Sequence, residues 1–306
     1  MYDAILTPIR RIRNSITQYF TFYQDTVFFR IDDAGRVNAF DPYKTTEVAK
    51  EKNLRLGGKE QKAFFQVHDS FFTFLFQEFP TVMLFYSRIK NRNIKLYINI
   101  TYKTGESYHS LIDFMIKYLK DMGVPFEIIN TEKYSIVESE NIYVFANAFG
   151  PMAINTMYAK TRKYVRDKNI KPFRKVFVAR KDVLQKRIDS SEKIASYFAS
   201  IGFEVVYPED FESFIDQINY FSECSVIAGL SGSGLSNCIF MKQGGTVIEV
   251  SSVFDVGNVS YPIEIHDFYR VMAMYRGHIY FSVSNVSKKF EDVIKNHKAT
   301  IFMQMV

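Results

Sequence analysis

The chain has 306 residues, 47% hydrophobic and 24% charged, a balance that excludes disordered, collagenous and fibrous classes and, at ~100 to 200 residues per domain, makes two domains the expectation. Its 39 basic and 33 acidic residues leave a net charge of +6, which suits a polyanionic ligand or an anionic membrane surface without choosing between nucleotide, nucleic acid and lipid headgroup. No apolar stretch approaches the ~18 residues of a spanning helix, and the N-terminus lacks the apolar run of a secretory signal, so a reducing cytoplasmic setting is expected, with Cys224 and Cys238 as core thiols.

In chain order, Phe20, Phe22, Val27, Phe28, Phe29 and Ile31 precede the turn run Asp32, Asp33, Ala34, Gly35, a pattern that predicts a hairpin over 20–40. From Asp69 to Arg88 the residues Phe71, Phe72, Phe74, Leu75 and Phe79 recur at helical spacing, with Pro80 as a kink or break. A strand is expected at IKLYINI. The next helix shows Leu111, Ile112, Met115, Tyr118, Leu119 and Met122 on one face and stops at Gly123 and Pro125. FEII and NIYVFA read as strands, and a helix over 151–169 enters through Pro151 and ends in the charged run TRKYVRDKN. The composition shift places a linker at 167–174, giving domains 1–168 and 169–306.

Beyond the linker the pattern becomes regular: KVFVAR, helix 190–201, FEVVYP, helix 210–222, SVIAG, helix 235–241, TVIEV. Such alternation predicts a parallel sheet covered on both faces. Asp189 and Glu192 have capping-box spacing, and the stripe Ile194, Phe198, Ile201 stops at Gly202. A helix near 266–276, a strand HIYFSV and a terminal helix from Ser287, packing back on the first domain, complete the expected elements.

The most informative segment is SVIAGLSGSGLSN, a strand entering a glycine-rich turn and then a helix. Gly232 and Gly234 let a ligand approach the backbone, the helix start supplies amide donors and partial positive charge, and Ser231, Ser233 and Ser236 add hydroxyls. Seventeen residues after Gly232, Glu249 ends the next strand, where a carboxylate can accept from ribose hydroxyls. The pair suggests a nucleotide; a plain strand-to-helix turn, or a nicotinamide-cofactor fold, would share the glycine pattern. The cofactor fold fits less well, because this turn follows the third strand of its half rather than the first. Arg180 ends KVFVAR, at the sheet edge where open α/β folds bind ligands, and its planar fork suits a diphosphate; Arg187, Lys181 and Lys186 follow closely. No metal motif, P-loop or nucleic-acid reading motif is present, so neither a metal nor a nucleic-acid partner is expected.

Taken in order, VFVARKD with KRIDSSE, GFEVVYPED, QINYFSECSVIAGLSGSGLSNCIFM, GGTVIEV, and DFYRVMA with HIYF resemble glycosyltransferase family 61, with a weaker echo at FFTFLFQEFP. The resemblance implies a GT-B-like α/β architecture, two Rossmann-like domains facing across a cleft, the donor in the C-terminal domain and the acceptor mostly in the N-terminal one. It implies inverting transfer from a nucleotide-diphosphate sugar, UDP-linked by preference, to a hydroxyl of a glycan or lipid-linked acceptor, with no metal required. Arg180 then matches the arginine facing the donor diphosphate, Gly232, Gly234 and Asn237 match the family's glycine turn, and Glu249 matches the acid near the ribose. Arg187, Ser231 and Ser233 complete the donor-side set, and Asp69 is the candidate catalytic base. Ser231 and Thr73 stand where the family has histidines, and Gln77 stands where it has an acid. These departures keep open a non-catalytic relative that binds nucleotide sugar, glycan or a partner enzyme. The basic Arg10, Arg11 and Arg13 leave room for peripheral contact with an anionic bilayer.

Overall fold

Sequence alternation becomes two separate sets of sheets in a computed structural model of the chain. The residues it describes are 20–23, 27–31, 37–40, 53–67, 71, 74–89, 93–100, 109–129, 136–145, 151–179, 191–251 and 267–284. The chain divides into two compact units, Met1–Met157 and Tyr158–Val306.

The first unit holds two sheets. One has the order β1 (Phe20–Tyr23), β9 (Ile142–Phe145), β5 (Lys62–Val67), β6 (Lys95–Ile100), β7 (Phe126–Ile129). Its four neighbours from β9 to β7 run parallel, and β1 closes the edge antiparallel to β9. The other has the order β3 (Val37–Phe40), β2 (Val27–Ile31), β8 (Ile136–Ser139), β4 (Asn53–Leu56). The expected hairpin is therefore β2 against β3. Phe20 and Phe22 instead belong to β1, whose register places Phe20 opposite Phe145.

Strand β5 is the centre of the first sheet and is buried along its whole length. Sequence reading gave it no strand, although the run Ala63, Phe64, Phe65 follows a Gly-Gly turn; a short apolar run does not separate strand from helix. Its first residue, Lys62, is fully buried and donates from Nζ to the carbonyls of Gly58 at 2.7 Å and Glu140 at 3.3 Å. Pro80 stands next to a change of helix type. It sits in the first turn of α1 (Phe79–Arg88), where its missing N–H costs nothing, and the wide π turn Phe74–Glu78 precedes it. The Thr81 hydroxyl donates to the Glu78 carbonyl across that junction at 2.5 Å. Phe79 packs edge-on against Phe114 and Tyr118 of α2 (His109–Asp121), the helix that ends at Gly123 with φ +67°.

The second unit is one five-stranded parallel sheet of order β11 (Glu204–Val206), β10 (Arg174–Val178), β12 (Cys224–Leu230), β13 (Thr246–Ser251), β14 (Ile279–Ser284). Both units are thus mixed α/β with parallel sheets, as a Rossmann-like fold requires. The helix expected over 151–169 is shorter: α3 (Pro151–Thr161) tightens to a 3-10 turn at Arg162–Tyr164 and stops inside the charged run. Helix α4 (Ser191–Ser200) presents Ile194 and Phe198 to Phe177, Ile248 and Val250, and Gly202 ends the stripe with φ +88°. Helix α5 (Phe214–Ser222) starts later than the periodicity predicts, because Ser213 is its N-cap and accepts from the Asp216 amide at 3.1 Å. Helix α6 (Asp267–Tyr275) leads into β14. The terminal helix expected from Ser287 lies outside the described residues. Among the described residues no helix is long and apolar enough to cross a membrane.

Candidate functional site

Strand β10 lies between β11 and β12, so the chain leaves it in one direction to form β11 and returns on the other side to form β12. A parallel sheet opens a crevice at such a point, above the carboxyl ends of the two diverging strands. Here those ends are Val178 and Ala179 on one side and Leu230 with the turn Ser231 to Gly234 on the other. Tertiary topology therefore puts the glycine turn at the place where an open α/β sheet binds ligands.

The turn is built by backbone restraint. Ser231 extends the ladder by one residue, its amide donating to the Val250 carbonyl at 2.9 Å. Gly232 then adopts φ +154° and ψ 174°, a conformation that side-chain-bearing residues rarely reach, and this reverses the chain into a 3-10 helix, Ser233–Phe240. The Leu235 amide closes the first turn on the Gly232 carbonyl at 3.0 Å. Gly234 serves packing: a Cβ there would stand 2.7 Å from Cγ1 of Val178, so only glycine lets the turn lie on the end of β10. Gly229 repeats the device one layer down, with the Val178 carbonyl 3.2 Å and the Leu235 side chain 3.3 Å from the Cβ it lacks.

Asn237 is completely buried and locks the turn from beneath. Its Nδ2 donates to the Gly234 carbonyl at 2.9 Å, and its Oδ1 accepts from Gln217 Nε2 of α5 at 2.6 Å. The amide thus ties the turn to α5. Gln217, the partner of Asn237, is a residue that the sequence did not single out. Its signal was a polar residue inside the buried face formed by Phe214, Ile218 and Phe221. Ser231 and Ser233 are half-buried at the crevice, whereas Ser236 is fully buried and its hydroxyl has no partner among the described residues.

Glu249 stands beside Gly229 in the register of β12 and β13. It is also fully buried, and its Oε2 accepts from the Tyr280 hydroxyl of β14 at 2.5 Å. Burial pushes the nearby Cys238 thiol up to about 12, with the Glu249 charge adding to the rise, so Cys238 is an inert neutral thiol. Burial likewise raises Cys224. Tyr280, half-buried above the carboxylate, was not singled out by its sequence position. Thus Ser231, Gly232, Ser233 and Gly234 come together at one edge, with Asn237 and Glu249 beneath them in the fold. Asp69, Arg180 and Arg187 lie outside the described residues; Arg180 follows Ala179 directly in the chain, and Asp69 comes two residues after Val67, the end of β5.

The family model described as Glycosyltransferase 61 matches residues 71–248, more than half of the chain. That range contains the crevice strands, the turn and Asn237, and it stops one residue before Glu249. No curated protein matches the chain.

Proposed function

We propose, from the premise that this chain belongs to glycosyltransferase family 61, that it transfers a sugar with inversion from a nucleotide-diphosphate donor, UDP-linked by preference, to a hydroxyl of a glycan or lipid-linked acceptor. The observation that carries the reading is the glycine turn at the diverging strands of the second unit. Bare peptide groups, short hydroxyls and the positive end of a helix meet there, which is the chemistry that holds a diphosphate. Arg180, following β10, supplies the fork that neutralises the leaving diphosphate, with Arg187 near in sequence. Asp69, following β5, takes the proton of the attacking hydroxyl. Because the leaving group is neutralised by cations and amides, the reaction proceeds without a metal, within a GT-B-like pair of domains. Glu249, whose Oε2 accepts from the Tyr280 hydroxyl, is the acid that accepts from the donor ribose.

Calorimetric titration with UDP, GDP, CDP and NAD, with and without EDTA, tests this. One nucleoside diphosphate is expected to bind in EDTA and to lose its binding in Arg180→Ala and Gly232→Val. Binding of NAD alone would overturn the reading. Asp69→Asn is expected to leave donor binding intact and to abolish transfer; wild-type turnover in that variant removes Asp69 from the mechanism. A second reading, a nucleotide-sugar-binding relative without turnover, is favoured by Ser231, a group that does not titrate near neutral pH, at the first position of the turn. It predicts binding with no release of nucleoside diphosphate on prolonged incubation with donor.

A further inference from the structure

We propose that the second unit carries another anion site, for phosphate either free or as a monoester, between the guanidinium groups of Arg162 and Arg276. Both arginines share one aromatic platform. The guanidinium carbon of Arg276 lies 3.3 Å from the centroid of the Tyr158 ring, and that of Arg162 lies 5.8 Å from it. Arg276 is only 8% exposed, and one of its terminal nitrogens donates to the Met241 carbonyl at 3.4 Å, but its Nε has no acceptor. Arg162 donates from Nη2 to the Lys168 carbonyl at 3.3 Å, while its buried Nη1 has no acceptor. Among the described residues no carboxylate pairs with either arginine.

A histidine that carries no charge lies beside Arg276. His278, 7% exposed, faces the Cys238 carbonyl through Nε2 at 3.2 Å, and its Nδ1 is unpartnered. Burial, with the Arg276 charge second, holds it neutral. Buried cations without counter-charge are costly, and buried donors without acceptors add to that cost. An oxoanion accepting from Arg276 Nε and Arg162 Nη1 offsets both at once, through small rotations of Arg162, whose side chain is the more exposed of the two. Two forks reaching one ligand from different elements match a tetrahedral dianion, which has acceptors for both, better than a single carboxylate.

The site is separate from the glycine turn. Arg276 and His278 directly precede β14, and Met241 precedes β13, so they lie at the amino ends of the strands, whereas the turn follows a carboxyl end. All three residues around the platform belong to the second unit.

The test is thermal unfolding of the full chain in inorganic phosphate and in methyl phosphate, each against chloride at equal ionic strength. Saturating phosphate is expected to raise Tm by about 5 °C over chloride. The rise is expected to vanish in Arg276→Met and in Arg162→Met and to persist in Gly232→Ala. Should Arg276→Met fail to fold, Arg162→Met and Arg162→Lys carry the test, the lysine variant keeping charge while losing the fork. A rise with methyl phosphate as well assigns a monoester, and a rise with inorganic phosphate alone assigns the free anion. Three outcomes overturn the proposal: no rise beyond chloride, a rise that survives the arginine substitutions, or a rise lost in Gly232→Ala.

Discussion

The two parallel sheets follow one construction rule and furnish their carboxyl edges differently. In the first unit β5 separates β6 from β9, as β10 separates β11 from β12 in the second, so in each sheet the strand order reverses about one strand. The second unit lines that edge with Ser231, Gly232, Ser233 and Gly234 and fixes them through backbone conformation. The first unit uses side chains. Gln66 and Asn99 pair in register on β5 and β6, Asn99 Nδ2 donating to Gln66 Oε1 at 2.5 Å, and Gln66 Nε2 donating to the Val67 carbonyl at 2.9 Å. Phe145 ends β9 and packs edge-on against Phe65 and Phe85. An edge fixed by backbone conformation is tuned by glycine and by close packing; strands tied by buried amides and rings are tuned by side-chain hydrogen bonds. Substitutions at the two edges should therefore fail in different ways.

The largest effect is expected at Gly234→Val, which drives a branched side chain into Val178. Overpacking of this kind costs about 3 kcal/mol, read by urea denaturation, and nucleoside diphosphate binding should be lost together with stability. Unaltered binding in that variant would break the link between turn shape and donor recognition. Next comes a pH effect at the opposite edge of the same sheet. Burial and the Arg276 charge lower His278 from its ordinary 6.5 to about 4, so in that interval the unfolded chain binds the extra proton. Stability is therefore complete above the unfolded value and falls by about 3 kcal/mol as pH drops to the folded one. His278→Asn should flatten that slope in denaturation curves taken across the interval.

A smaller effect sharpens the comparison from the first unit. Asn99→Ala leaves Gln66 Oε1 without its buried donor, a loss of about 2 kcal/mol. Donor affinity, measured by calorimetry, should stay at the wild-type value, since the second unit builds its edge independently. The smallest is Ser213→Ala, which removes the N-cap of α5 and costs about 1 kcal/mol. Because α5 carries Gln217 and hence holds Asn237 in place, this variant should also weaken nucleoside diphosphate binding slightly, whereas Arg166→Ala, which breaks an exposed ion pair with Asp216 on the same helix, should leave binding unchanged.

Much of the second unit was legible in residue order. Regular alternation of apolar runs with amphipathic stretches names a parallel sheet, and Gly202 and Gly232 mark places where a chain must turn through a conformation that glycine tolerates. The first unit was harder to read. Its central strand β5 carries no period that distinguishes it, because a strand buried on both faces has no alternation to show, and β4 and β8 are only four residues each. Pro80 read as a kink or a break, and periodicity does not show that the turn before it is a wide π turn.

Sequence alone determined the α/β class, the family resemblance and the identity of the turn, since each depends on short-range order along the chain. Only the tertiary structure decided that β11 and β12 flank β10 on opposite sides, that a Cβ at Gly234 would meet Val178, and that Asn237 and Glu249 are buried. The same holds for Arg162 and Arg276, 114 positions apart in the chain and joined on one ring. Strand order and burial arise from packing between distant segments, and no local pattern encodes which of two neighbouring polar residues will face water and which will be covered.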